Sequence, residues 1–353
     1  MLVCVTGGTG FVGAHSTAAL VRAGCRVRLL ARDPDTVPRA LAPLGVDPAA
    51  VDSVAGDVRD EAAVKSAVAG TDAVLHAASV YSFDSRRADE MRAVNVRGTE
   101  VVLGAAARAG AGRIVHVSSF ASLLPSGGGL LDERSPVGRP RDVYMRTKAE
   151  AEEVALALRE RGAPIVISLP PALLGPCDPR LGDQTTRLLD TLRGLMPLWP
   201  AGGFPVGDVR DTAALHTLAL TGPPPGTSRL FGPGRYLTTR QYVAAVRRVT
   251  GRRLPSVVLP GRALLPVGRV TDVVQRILPW RLPPSYGAVY ACVSRARIAP
   301  WAAGGGVPAR PTDETFTDTV RWLHAAGHLT ARQAGAASAA RAPGRATVPG
   351  PGQ

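Results

Sequence analysis

Short apolar runs alternate with longer stretches in which apolar positions recur every three or four residues, and this alternation holds through the first half of the chain. Runs of four to six such residues read as strands buried on both faces, and the longer periodic stretches read as helices. Leu2–Val5 is the first strand, and Phe11, Val12, Ala18, Ala19 and Leu20 mark the helix behind it. Arg26–Ala31, Val51–Ala55, Asp72–His76, Arg113–Ser118 and Ile165–Leu169 follow as strands. The longest helices are predicted over about Asp84–Arg108 and about Asp142–Arg161. Strands alternating with helices in this way define an α/β fold, a doubly wound parallel sheet covered on both faces.

The second half is less regular. Phe204–Asp211 is expected to return to the sheet, Ala213–Leu220 and Tyr236–Thr250 to be helical, and Gly251 to cap the latter. Leu264, Val267, Val270, Val274, Ile277 and Leu278 fall on one face of a helix spanning Ala263–Leu278, despite Pro266. The expected use of that face is packing on its own domain, and the alternative is a membrane-surface patch, since Arg269, Arg276, Trp280 and Arg281 flank it. Phe316–Leu323 is the last amphipathic helix. From about Ala331 the chain is Ala/Gly/Pro/Arg-rich and is expected to be disordered.

Composition narrows the class. Hydrophobic content of 45% with 20% charged residues is that of a globular chain. No stretch is apolar enough to span a bilayer, and a cleaved leader would remove the first strand, so a cytoplasmic location is expected. Cys4, Cys25, Cys177 and Cys292 have no ligand or pairing pattern, so free thiols and no metal are expected. The net charge of +14 resembles a nucleic-acid signal until it is mapped: residues 201–353 carry 19 basic and 6 acidic side chains, whereas residues 1–200 nearly balance. The excess is scattered as single arginines without interleaved aromatics, which excludes a nucleic-acid partner and leaves weak membrane-surface association as the alternative. Only Lys65 and Lys148 are lysines among the 42 basic residues. A lysine kept where arginine is the rule suggests chemistry that needs a compact charge on a flexible stem.

The first chemical signal is at the N-terminus. Gly7-x-x-Gly10-x-x-Gly13 joins the first strand to the first helix. Gly7 permits the tight turn, Gly10 lets backbone approach a pyrophosphate, and Gly13 lets helix and strand pack closely. The helix start adds N–H groups and a positive dipole end, so the whole is a dinucleotide cradle. At the end of the second strand an NAD enzyme would place a carboxylate, but Ala31 stands there and Arg32 follows, which fits a 2′-phosphate. NADP(H) is therefore the expected cofactor and NAD the alternative, with Asp33 as counter-candidate.

The second signal is Tyr144-Met-Arg-Thr-Lys148, where i and i+4 put hydroxyl and ammonium on one helical face. A free tyrosine titrates near ~10, so proton exchange at neutrality needs a drop of roughly 2–3 pH units, or ~3–4 kcal/mol. A cation ~6 Å away at an effective dielectric of ~20 supplies roughly 3 kcal/mol. Ser119, at the carboxyl end of the fifth strand, can hydrogen-bond the same oxygen that Tyr144 protonates.

These motifs stand in order with Asp57-Val58, His76-Ala-Ala-Ser79, Asn95-Val-x-Gly98-Thr99 and Leu169-Pro-Pro-x-x-x-Gly175-Pro176. The chain resembles the extended short-chain dehydrogenases/reductases of the NAD(P)-dependent epimerase/dehydratase family, over roughly residues 1–325. Val27-Arg-Leu-Leu-Ala-Arg-Asp-Pro34 is similar to the dihydroflavonol-reductase-like branch, which favours NADP.

The resemblance implies a Rossmann sheet with a smaller, mixed C-terminal substrate domain, divided as 1–175 (with the return near 204–235), 176–330, and a tail over 331–353. It implies Tyr144 as proton donor or acceptor, Lys148 lowering the tyrosine pKa and holding the nicotinamide ribose, and Ser119 orienting the carbonyl. Thr9, Phe11 and Val12 would join the cradle, Asp57 and Val58 would flank adenine, Ala77 and Ala78 would line the cleft, and Pro170 would lie near the nicotinamide. Asn95 matches a recurrent asparagine without an assigned role. Val80, Tyr81, Ser82 and Phe83 either touch substrate or serve structure.

The expected activity is reduction of a carbonyl, or oxidation of a secondary alcohol, on a small apolar molecule, with a homodimer as the assembly. Alternatives are a nucleotide-sugar epimerase, a 3-beta-hydroxysteroid dehydrogenase using NAD, or an NAD(P)-sensing regulator. Phe120-Ala121 replace the acid pair that a sugar-nucleotide dehydratase would carry.

Overall fold

The computed structural model of the protein describes residues 1–127, 129–274, 286–300, 302 and 306–339. Seven parallel strands form the central sheet in the order Arg229–Phe231, Ile165–Leu169, Arg113–Val117, Ala73–His76, Leu2–Thr6, Arg26–Ala31, Val51–Ala55. From the central strand Leu2–Thr6 the chain builds outward first to one side and then to the other. The switch point therefore lies between Leu2–Thr6 and Ala73–His76, and a crevice opens at the carboxyl ends of those strands.

The inner strands are largely apolar on both faces because both faces are covered. Val3, Val5, Leu29, Leu75 and Val115 pack toward the side that includes Ala14, Ala18, Leu215 and Ala219. Cys4, Leu30, Val74, Ile114 and Ile167 pack toward Val64, Val101, Val102 and Leu103. Each fully buried Leu or Ile contributes about 1.5–3 kcal/mol relative to exposure.

The helix Val143–Glu160 positions the chemistry. Asp142 caps it, accepting from Met145 N at 3.0 Å, and Thr147, Lys148, Ala151, Glu152 and Ala155 form its buried stripe. Small alanines there let the helix approach the core closely, so the polar members of the stripe are carried inside.

Several expectations are corrected. Gly203–Asp208 does form a strand, but it pairs with Ala172–Leu174 and Arg235–Thr238 in a separate three-stranded sheet; the return to the main sheet is Arg229–Phe231. The helix expected over Asp84–Arg108 is interrupted by a π-helical turn at Arg92–Arg97, between Ala88–Met91 and Gly98–Arg108. The bulge coincides with Asn95, whose side chain is drawn into bonds with Val80 and Thr147. Ala331–Ala334 and Gly335–Ser338 are helical turns, set by a Thr330–Gln333 capping box and buried at Ala334 and Ala337, so disorder does not begin at Ala331. Residues 340–353 lie outside the described part.

The helix Gly261–Val274 exists, but Val267, Val270 and Val274 are 46%, 62% and 38% exposed. Those three positions therefore stay open to solvent, while Leu264 on the same face is half-buried. Gly268 lies on the buried side instead. Ile277 and Leu278, expected on the same face, lie outside the described residues. No helix among the described residues is long and apolar enough to cross a membrane.

Candidate active site

One cleft of about 1010 Å³ crosses the carboxyl ends of the central strands. Every residue singled out from the sequence as a cofactor or catalytic candidate lines it: Gly7, Thr9, Gly10, Phe11, Val12, Gly13, Arg32, Asp57, Val58, Ala77, Ala78, Ser119, Tyr144, Lys148 and Pro170.

At one end the wall is backbone. Gly7 has φ +75°, and a Cβ on it would come within 2.5 Å of Ala78 N. A Cβ on Gly13 would overlap the Gly7 carbonyl oxygen. Gly10 caps the helix Phe11–Arg22 without a side-chain hydrogen bond, and no acidic residue stands in the first turn. The first N–H groups of the helix are thus left for an anion, and no carboxylate competes for them. The cradle fits a dinucleotide phosphate.

Arg32 and Asp33 follow the second strand and are exposed at this end. Asp33 accepts from Asp35 N at 3.1 Å and so caps its own turn, whereas Arg32 makes no hydrogen bond or ion pair among the described residues. Asp57 is clamped by Arg59 at 2.8 and 3.0 Å, and the hydrogen bond from that guanidinium holds its carboxyl below the usual range.

At the centre, Ser119, Tyr144 and Lys148 line the cleft together. Ser119 itself accepts from Ala121 N at 3.2 Å, starting the turn Phe120–Leu123. Lys148 is buried and donates to Val117 O at 2.7 Å. Burial lowers its ammonium to about 8, while Glu152 pulls the other way. Tyr144 does not show the expected lowering. Burial raises its phenol, the Asp142 and Asp183 carboxylates push in the same direction, and the neighbouring Ser119 hydroxyl opposes them. The lysine charge is directed at a backbone carbonyl, so the phenol stays protonated at neutral pH.

Sequence reasoning missed Glu152, although it lies on the stripe that begins Tyr144, Lys148. It is fully buried, accepts from Ser118 at 2.9 Å and Ser122 at 2.5 Å, and pairs with buried Arg229 at 2.8 Å. This network pins the strand end that presents Ser119. Asn95 is now accounted for: it joins Ser79 and Val80 to Thr147 on the catalytic-candidate helix, at 2.7–3.0 Å. Beneath them His76 bridges Thr6 and Thr99, and burial drops its pKa to about 3, leaving it neutral.

The far end is made of side chains. The Tyr81 ring lies 4.7 Å from the Tyr144 ring, and its hydroxyl accepts from Gln184 Nε2 at 2.9 Å. Val80 and Ser82 also line the cleft, while Phe83 is buried edge-on to Tyr144 at 6.0 Å. Gln184 and Arg187 come from the helix Asp183–Arg193, and Phe204 from the small sheet. The loop before that helix holds Cys177 and Leu181 at φ +60° and +47°, and Asp178 ties it by accepting from Gly182 N and Thr185 Oγ1. None of Gln184, Arg187 or Phe204 belongs to a motif, so sequence reasoning had no signal for them.

A Rossmann sheet, a glycine cradle at its switch point and a Ser/Tyr/Lys cluster in the same cleft, its lysine buried, define a nucleotide-dependent oxidoreductase of the short-chain dehydrogenase/reductase type. Residues 3–229 match the NAD dependent epimerase/dehydratase family. The chain is 29% identical over 335 residues to the sterol demethylase protein B of Methylococcus capsulatus, covering 93% of this chain and 100% of that one. It is 28% identical to a putative dihydroflavonol 4-reductase of Synechocystis, over 92% and 95% of the two chains. Among solved structures, gox2253 superposes with TM-score 0.76 at 28% identity, over 93% of this chain and 99% of that one. The chain belongs to the NAD dependent epimerase/dehydratase family, and it is an NAD(P)-dependent oxidoreductase.

Proposed function

We propose that the protein is an NADP(H)-dependent carbonyl reductase acting on an apolar, ring-containing substrate, with Tyr144 as the proton donor. The observation that carries this reading is that Ser119, Tyr144 and Lys148 line the same cleft that begins at the glycine cradle.

The cofactor would be held by the helix start at Gly10–Gly13, by Arg32 at a 2′-phosphate and by Lys148 at a ribose, with Ala77, Ala78 and Pro170 along its length. Bound there, the reduced nicotinamide supplies a hydride to the substrate carbon. Ser119 donates a hydrogen bond to the carbonyl oxygen and fixes its position. Tyr144 then transfers its phenolic proton to that oxygen as negative charge builds on it. A phenol kept protonated by burial and by Asp142 and Asp183 suits an acid, which supports the reductive direction. The Lys148 ammonium stabilises the phenolate that remains, and solvent restores its proton.

Val80, Phe120, Ala121, Leu173, Leu181 and Phe204 line the cleft around this centre, which favours an apolar substrate. The sterol and dihydroflavonol in the relatives' names are ring compounds of that kind. A dehydrogenase using NAD is the second reading, supported by the family's description as NAD dependent and by Asp33 in the cleft wall.

The test is NADPH oxidation across cyclic ketones, steroids and nucleotide sugars with wild type and Tyr144→Phe. Turnover of an apolar ketone that falls about 10²–10⁴-fold in the variant, with NADPH affinity kept, is expected. Turnover near that of wild type would remove Tyr144 from the chemistry.

A further inference from the structure

Among the described residues two arginines are buried, and the fold treats them oppositely. Arg229, 6% exposed, is paired with Glu152 at 2.8 Å. Arg187, 9% exposed, forms no ion pair with a carboxylate among the described residues. Its one hydrogen bond among the described residues is to a neutral group, Gln184 Oε1, at 3.2 Å, and its guanidinium stands 5.1 Å from the centre of the Phe204 ring. Taking an unpaired charge out of water is unfavourable, and most of its N–H donors are uncommitted. Unlike a charge left on the surface, this one faces a cavity wide enough for a ligand, since Arg187 lines the cleft. It is also connected to the centre of that cleft. The rings of Tyr144 and Tyr81 are 4.7 Å apart, the Tyr81 hydroxyl takes a hydrogen bond from Gln184, and Gln184 in turn meets Arg187.

We propose that Arg187 anchors an anionic oxygen group, a carboxylate, carried by the otherwise apolar substrate at the end remote from its reacting carbonyl. The inference deepens the reading of Tyr144 as proton donor and rests on it for the direction in which the substrate lies. A guanidinium fork takes a carboxylate through two parallel hydrogen bonds, and its contact with Phe204 holds the fork's plane in the desolvated pocket. Gln184, bonded on either side to Tyr81 and Arg187, sets the orientation of both. The substrate class is thus an apolar keto acid, not a neutral ketone.

The experiment uses two keto acids of different length, benzoylpropionic acid and dehydrolithocholic acid, each against its methyl ester. Binding to the full-length enzyme saturated with NADP+ is measured by calorimetry, and NADPH oxidation is followed separately. Wild type is expected to hold at least one acid ten-fold or more tighter than its ester. Arg187→Met should erase that preference while ester binding stays put, and Arg187→Lys should keep part of it. Equal binding of acid and ester in both pairs, or binding of neither acid, overturns the proposal. So does a preference that survives Arg187→Met. The wild-type comparison decides even if the variant does not fold. A preference for the acid without hydride transfer keeps the anchor and rejects the role given to Tyr144. Turnover of acid and ester with equal kcat/KM does the reverse.

Discussion

The two ends of the cleft are built from different material. The cofactor end is main chain: Gly7, Gly10 and Gly13, the open first turn of a helix, and the ends of parallel strands. The substrate end is side chain: Tyr81 after the fourth strand, Gln184 and Arg187 on a later helix, Phe204 in another sheet. A surface made of backbone tolerates almost no substitution, because an added Cβ meets atoms that cannot move. One made of side chains can be replaced piece by piece while the sheet stays as it is. A common cofactor site alongside variable substrates follows from that difference.

Where the two ends meet, the largest effect is expected. Glu152→Gln would leave Arg229 buried without its charge partner and loosen Ser118 and Ser122. A loss of about 3–5 kcal/mol in urea unfolding is predicted. A loss under ~1 kcal/mol would mean that the junction is not held by this pair.

Lys148 sharpens the same point through pH. Its folded pKa, about 8, lies below the ordinary 10.5, so the folded state gives up a proton that the unfolded chain keeps. Below pH 8 both states are charged, and the full burial penalty of about 3 kcal/mol applies. The penalty shrinks as pH rises from 8 and is gone near 10.5. Lys148→Met should therefore gain stability over wild type at pH 7 and lose that advantage by pH 10; a constant difference across this range would show that the buried ammonium is not what costs stability.

At the backbone end, Gly13→Ala forces a Cβ onto the Gly7 carbonyl. The strain, about 1–3 kcal/mol, should appear as a 10- to 100-fold weaker Kd for NADPH in fluorescence titration. An unaltered Kd would mean that the turn can open without cost. Smallest is Arg32→Ala, an exposed side chain expected to weaken NADPH about ten-fold and NADH hardly at all. Equal losses for both cofactors would remove the 2′-phosphate contact from the picture.

Much of this was legible in the residues. Most of the central strands follow from short apolar runs, because a strand covered on both faces must be apolar throughout; the edge strand Val51–Ala55, with Asp52 and Ser53 exposed, is the looser case. The seventh, Arg229–Phe231, is three residues long and opens on an arginine whose charge is paired with Glu152, 77 residues away in sequence. No local pattern marks it. The break at Arg92–Arg97 escaped notice for a similar reason: its cause is Asn95 reaching Val80 and Thr147, partners that periodicity cannot display. Glu152 was within reach as the next member of the Tyr144, Lys148 stripe, but its buried partners were not.

The sequence by itself determined the order of strands and helices, the glycine turn, and the Tyr144/Lys148 face. These depend on backbone conformation and on spacings within one element, which neighbouring residues dictate. Tertiary structure alone decided that the tyrosine is held protonated, that Glu152 and Arg229 lock the serine strand, and that Arg187 is buried facing the cleft and in no ion pair with a carboxylate among the described residues. Burial and charge pairing depend on which distant segments come together, and no stretch of the chain carries that information alone.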